Sequence, residues 1–148
     1  MLIKMGANID GLGSHRIQIE GVDRLKGCHH RVISDRIETA TYIIAAVITN
    51  GKIRIEDADL QHLGAFVEVM NQCGVELEEN TKTNISVKVS SSGLQPFEII
   101  TLPYPGFPTD LQAQMTALAS VVPGLSILTE RVYPSRFMHV TELLRMGA

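Results

Sequence analysis

The segment Phe107-Pro108-Thr109-Asp110-Leu111-Gln112 offers the clearest candidate chemistry in this 148-residue chain. Pro108 restrains Phe107 to an extended conformation. Thr109 is a good helix N-cap, and Gln112, three residues later, completes a capping box. Asp110 then falls at the first helical position, where the helix dipole favours a negative charge. Free N–H groups there can receive an anion or a sugar hydroxyl. Spacing alone leaves two readings open: a carboxylate that holds a hydroxyl, or an acidic residue that only helps to start a helix.

A second segment, Thr129-Glu130-Arg131-Val132-Tyr133-Pro134-Ser135-Arg136-Phe137-Met138-His139, runs from a strand end through a loop into a helix. Ligand-contacting residues often sit in such loops. The planar fork of Arg136 suits a carboxylate or phosphate, and equally suits a surface salt bridge. Asp35 and Arg36 open an earlier helix and carry the same two readings, with Asp35 reading first as an N-cap.

Other features carry less. Gly11-Leu12-Gly13 lacks a third glycine and reads as a turn between short strands, not as a dinucleotide site. Cys28, His29 and His30 are adjacent, so an extended chain points them to opposite faces, and no metal-ligand spacing converges. His15, His62 and His139 are scattered. Cys28 and Cys73 are too few for a disulfide framework and are expected to be buried and inert.

Composition narrows the classes. A net charge of -3, no Lys/Arg cluster, no Trp and few aromatics argue against nucleic acid. The longest apolar run, about Tyr42 to Ile48, is far short of the ~20 residues of a spanning helix, and Lys4, Asn8 and Asp10 interrupt any N-terminal signal. No membrane partner is expected, and the expected location is cytoplasmic.

The elements that must position these residues repeat. Met5-Gly6-Ala7, Cys73-Gly74-Val75 and Met146-Gly147-Ala148 share one grammar: a helix end, a glycine C-cap, then an extended segment. The expected order is a strand at Arg31–Ile33, a helix at Asp35–Ile48 stopped by Gly51, a strand at Lys52–Glu56, and a one-sided helix over Leu60–Cys73. Strands at Val75–Glu78 and Ile85–Val89 follow, joined by a polar turn at Asn80–Asn84. The grammar then restarts: strand Phe97–Thr101, helix Thr109–Val122 followed by Gly124, strand Leu125–Thr129, helix His139–Met146. The helices at Ala40–Ile48 and Leu111–Val122 are apolar nearly all round, so they are expected to be buried on every side. The fold class is α/β with repeated βαβαββ units. Residues 1–30 read as the end of a preceding unit, 31–92 as a first full unit, and 93–148 as a second, incomplete one. Both ends fall inside the repeat, so the phase predicts part of a longer chain.

Three segments carry a family resemblance. Ser34-Asp35-Arg36-Ile37-Glu38-Thr39-Ala40-Thr41-Tyr42, Phe107-Pro108-Thr109-Asp110-Leu111-Gln112-Ala113-Gln114 and Arg136-Phe137-Met138-His139-Val140 resemble segments of the UDP-N-acetylglucosamine 1-carboxyvinyltransferases, in order and at about the family spacing. The resemblance runs over essentially the whole chain and separates it from 5-enolpyruvylshikimate-3-phosphate synthase. It implies part of the inside-out α/β barrel of enolpyruvyl transferases. The implied reaction moves enolpyruvyl from phosphoenolpyruvate to the 3-hydroxyl of UDP-N-acetylglucosamine, the first committed step of peptidoglycan synthesis. No metal or organic cofactor is implied.

By the same resemblance Asp110 contacts and deprotonates the sugar hydroxyl, with positioning as important as proton removal at a helix N-terminus. Thr109 lies beside it. Val132 contacts the nucleotide sugar, with Tyr133 next to it. Arg136 lies near phosphoenolpyruvate, and Asp35 and Arg36 near the inter-lobe cleft. The family's reactive-cysteine loop and its phosphoenolpyruvate-gripping lysine and asparagine have no counterpart here, and Cys28 and Cys73 do not match that cysteine. The expectation is an inactive fragment of the transferase. A non-catalytic nucleotide-sugar or protein-binding module is the alternative, and exposed unit edges leave room for self-association.

Overall fold

The computed structural model describes residues 1–81 and 84–148, and only the backbone of residues 80 and 81. The chain divides into two compact units, Met1–Ile33 and Ser34–Ala148. The first opens with a 3-10 turn at Leu2–Met5, which Gly6 ends at φ 101°. Strands β1 (Asn8–Asp10) and β2 (Gln18–Glu20) follow as an antiparallel hairpin, with Ile9 opposite Ile19. Gly11-Leu12-Gly13 makes its turn, as expected. Gly11 has φ 81°, and a Cβ there would collide with the Arg16 carbonyl, so only glycine fits. Arg31–Ile33 forms no strand, and Val32 and Ile33 are exposed.

In the second unit, α1 (Arg36–Ile48) begins at Asp35, whose carboxylate accepts the N–H groups of Ile37 and Glu38. That is the N-cap read from sequence. The helix ends at Ile48, as expected, but the left-handed residue is Asn50, at φ 50°, and the Gly51 N–H bonds back to Ala46 O at 2.8 Å. Asparagine tolerates this region better than most residues. Strand β3 is only Arg54–Ile55, and Leu60–Leu63 is a 3-10 turn leading into α2 (Gly64–Gln72). Asp59 caps that turn through the Gln61 N–H. Gly74, at φ 82°, turns the chain into β4 (Val75–Thr81), which pairs antiparallel with β5 (Asn84–Val89). The tip of the expected polar turn, Lys82 and Thr83, lies outside the described residues. The sheet order is β3-β5-β4.

Strand β6 (Glu98–Ile100) pairs in parallel with β7 (Ile127–Thr129), with Ile100 opposite Thr129. Parallel neighbours need a crossover, and α3 (Gln112–Ala119) supplies it. The expected continuous helix from Thr109 is instead a 3-10 turn, Thr109–Leu111, followed by α3, and it ends three residues short of Val122. Helix α4 (Met138–Arg145) closes the chain, ended by Gly147 at φ 96°.

Residues 34–92 and 93–148 share one core. Ile43, Ile44, Phe66, Met70, Ile85, Ile99, Leu111, Met115 and Leu118 are all within 2% of full burial. Each large side chain of this kind contributes about 1.5–3 kcal/mol on leaving water. Helices α1 and α3 pack together, and Gln114 Nε2 donates to Thr41 Oγ1 across that contact at 3.0 Å. The Phe66 and Phe107 rings meet with centroids 6.4 Å apart. As the sequence predicts, α3 exposes none of its residues and α2 is one-sided. Helix α1 keeps a narrow exposed stripe of Glu38, Tyr42 and Ala45. Among the described residues, no helix is long and apolar enough to cross a membrane.

Candidate functional site

The parallel pairing of β6 and β7 brings their C-terminal ends side by side. The next residues on from those strands are Thr101 and Glu130, and the next turn of chain after β6 delivers Thr109 and Asp110. Thr101 is fully buried, and its hydroxyl donates to Glu130 Oε1 at 2.6 Å. The Val132 and Tyr133 N–H groups donate to the same oxygen at 2.8 and 2.9 Å. Thr109 Oγ1 donates to Glu130 Oε2 at 2.8 Å. Burial opposes the charge on Glu130, but these four donors outweigh it and hold its pKa down at about 2.

Arg136 reaches back over this cluster. Its Nη1 donates to Asp110 Oδ1 at 2.9 Å and to Thr109 Oγ1 at 3.2 Å. Its guanidinium lies 5.6 Å from the Tyr133 ring centroid. Arg136 and Asp110 both retain solvent access, at 39% and 53% of their side-chain surface. With Tyr133, Ser135 and Met138 they line an open cleft of about 620 Å³. The adjacent His139 keeps its imidazole Nε2 buried without a partner among the described residues. Burial first, and the Arg136 charge second, disfavour its protonated form.

The structure therefore gathers Thr109, Asp110, Val132, Tyr133 and Arg136 into one place. Asp35 and Arg36 are not part of it. Asp35 lines a separate, smaller hollow of about 300 Å³ with Glu38, Tyr42 and Asp57. Arg36 lies over the Tyr104 ring at 5.2 Å. Thr109 is not the expected N-cap. Pro108 occupies that position, no side chain caps the turn, and the Thr109 hydroxyl goes to Glu130 instead. Gln112 closes no capping box: it is fully buried, and neither amide atom has a partner among the described residues. Sequence reasoning missed Glu130. The available signal was its position just past a strand end, as Thr101 lies just past the end of the other strand. Cys73 is buried as expected, whereas Cys28 is only half-buried. Among the described residues no group of three metal-ligating side chains converges.

Known proteins resemble this chain in sequence and in fold. The family model described as EPSP synthase (3-phosphoshikimate 1-carboxyvinyltransferase) matches residues 1–148. The chain is 45% identical over 148 residues to a UDP-N-acetylglucosamine 1-carboxyvinyltransferase of Methylacidiphilum infernorum, covering 99% of this chain and 34% of that protein. It is 50% identical over 147 residues to UDP-N-acetylglucosamine 1-carboxyvinyltransferase 2 of Carboxydothermus hydrogenoformans, covering 99% of this chain and 35% of that protein. The chain thus spans about a third of the length of these relatives. Its fold matches the crystal structure of the enolpyruvyl transferase NikO from Streptomyces tendae with a TM-score of 0.84 at 21% identity, over 98% of this chain and 35% of that one. With every residue of the chain under the family model, and with the fold in agreement, the chain belongs to the EPSP synthase family.

Proposed function

We propose that this chain forms one wall of an enolpyruvyl transfer site, in which Asp110 engages the 3-hydroxyl of UDP-N-acetylglucosamine and Arg136 neutralises the anionic phosphoenolpyruvate. The observation that carries this reading is the Arg136–Asp110 pair at 2.9 Å on the rim of an open cleft. A carboxylate beside a cation supplies an acceptor for a hydroxyl proton next to a donor for an oxyanion. Enolpyruvyl transfer needs both. The alcohol oxygen loses its proton as it adds to C2 of phosphoenolpyruvate while C3 gains one, and loss of a C3 proton then expels the phosphate anion and restores the double bond.

The remaining roles follow the loop. The backbone at Val132 and the Tyr133 ring form the nucleotide-sugar side of the wall, and Thr109 links Arg136 to Glu130. Both Arg136 bonds use Nη1, so the other guanidinium donors can meet an anion without breaking the pair. Asp35, beside a separate hollow, and Arg36, over the Tyr104 ring, are assigned to the inter-lobe cleft and not to the reacting atoms. No side chain of this cleft is a counterpart of the family's reactive cysteine, so the chain by itself is a binding surface without turnover.

Two assays test the reading. Titration calorimetry with UDP-N-acetylglucosamine is expected to show weak binding that Asp110→Ala or Arg136→Ala abolishes. Phosphate release from phosphoenolpyruvate plus UDP-N-acetylglucosamine is expected to stay at background. Binding that both variants leave unchanged would place the ligand elsewhere and sink the assignment. Turnover by the isolated chain that Asp110→Ala removes would overturn the claim that it is inactive. Tight binding without turnover favours the alternative reading as a nucleotide-sugar-binding module.

A further inference from the structure

We infer that Glu130 is a positioning residue, whose carboxylate fixes the polarity of the Thr109 hydroxyl and so sets where Arg136 stands against Asp110. It rests on the transferase reading only for what Arg136 and Asp110 do with substrate; the clamp itself is a property of the free chain.

One carboxylate joins three segments that are far apart in sequence: the end of β6 through Thr101, the turn before α3 through Thr109, and the loop after β7 through Val132 and Tyr133. All four of these donors point at Glu130, so its carboxylate ties the Val132–Tyr133 backbone to the Thr109 turn and to the end of β6. Thr101 is locked in turn. Its hydroxyl gives its only proton to Glu130 Oε1 and accepts the Arg131 N–H at 2.9 Å, so the loop is tied at three consecutive residues.

The chemistry of Thr109 makes the link directional. A hydroxyl has one proton and two lone pairs. Because that proton goes to Glu130 Oε2, the side of Thr109 facing Arg136 is a lone pair, which accepts from Nη1 at 3.2 Å. The same Nη1 then donates to Asp110 at 2.9 Å. The order of donation runs from Arg136 to Thr109 to Glu130. A group at position 130 that donates instead of accepting would free the Thr109 proton to turn toward Arg136 or Asp110. The pair by itself is solvent-exposed on both sides and too weak to fix one geometry. The clamp supplies the fixed partner that the exposed pair lacks.

Glu130→Gln and Thr109→Val separate the two halves of the clamp, read on the full chain by amide hydrogen exchange and by the 15N-guanidinium signal of Arg136, assigned with Arg136→Lys. Glu130→Gln replaces a charged acceptor by a neutral one with a donor face. It is expected to speed exchange at Val132 and Tyr133 by about tenfold or more and to shift the Arg136 signal. Thr109→Val is expected to shift the Arg136 signal while leaving the Val132 and Tyr133 exchange rates within twofold of the parent. Exchange at Ile43 and Ile44 in α1 is the control for global opening. An Arg136 signal unmoved in both variants would overturn the proposal. So would exchange at Val132 and Tyr133 that rises in Glu130→Gln only in step with Ile43 and Ile44. No substrate enters these measurements, so a clamp that passes them in a chain that never binds UDP-N-acetylglucosamine would sink the functional reading and leave this one standing.

Discussion

Replacing Gln112 with methionine is expected to stabilise the protein. Gln112 is 0% exposed, and neither Oε1 nor Nε2 has a hydrogen-bond partner among the described residues. An amide buried without partners costs about 1–3 kcal/mol relative to the same group in water. Methionine has nearly the same length and volume, and volume-conserving swaps in a core cost less than ~1.5 kcal/mol. The first effect outweighs the second, so Gln112→Met should raise the unfolding free energy by about 1 kcal/mol. In a protein of this size that is about 2–4 °C in the thermal midpoint. The converse change tests the same reasoning from the other side. Met115 lies one turn further along α3 and is also 0% exposed. Met115→Gln should lose about 1–3 kcal/mol by burying a new amide. Urea unfolding followed by far-ultraviolet circular dichroism measures both, with the slope m showing whether the exposed surface has changed. A Gln112→Met variant that loses 1 kcal/mol or more at unchanged m would refute the argument. It would mean that the amide is satisfied in the native state and that its burial is an interaction the fold depends on.

Three further outcomes follow from the geometry. Gly74→Ala must place a side chain at φ 82° with its Cβ 2.7 Å from the Gly93 carbonyl oxygen, so a loss of about 2 kcal/mol or more is expected by urea unfolding. Gly147→Ala, at φ 96° with open space around the Cβ, should lose about 1 kcal/mol or less, and equal losses would contradict the contact. Titration with a thiol reagent should modify half-buried Cys28 first. Cys73 should react only on unfolding, since burial pushes its thiol pKa up against a hydrogen bond from Gln95. Glu130 is held at about 2 in the fold against an ordinary value of 4.5, so the unfolded chain binds the extra proton. The stability this carboxylate contributes is therefore present above pH 4.5 and lost as pH falls toward 2, and Glu130→Gln should flatten the acid limb of the stability curve in that window.

The parts of the fold that were legible in sequence are those set by local backbone chemistry. The left-handed glycines at 6, 74 and 147 end their helices because no other residue takes that conformation as cheaply, and the repeat could be read from them directly. Asp35 caps α1 because an N-cap needs only its own next three residues. The all-round apolar pattern of α3 gave its burial for the same reason: periodicity is a property of the segment alone. Arg31–Ile33 fails as a strand because a strand is not a local object. Its residues have the right types, but a strand is made by a ladder to a neighbour, which residue types alone do not specify.

Thr109 shows where local grammar gives way within the site itself. Ser, Thr, Asp or Asn before an apolar run, with Gln three residues on, is the N-terminal signature of a helix, and the chain does turn helical there. The hydroxyl nevertheless leaves the backbone N–H groups uncapped and bonds Glu130, 21 residues away. The reason lies in the competing acceptors. A neutral threonine hydroxyl capping an N–H contributes about 1 kcal/mol. A bond to an ionised carboxylate contributes about 1.5–3 kcal/mol. The parallel register of β6 and β7 fixes that carboxylate within reach. The N-cap itself is Pro108, which has no N–H for Gln112 to reach back to, and Gln112 packs into the core without a hydrogen-bond partner among the described residues. The correction at Thr109 and the position of Arg136 thus share one cause, an acidic residue whose importance depends on strand pairing and not on its neighbours in sequence.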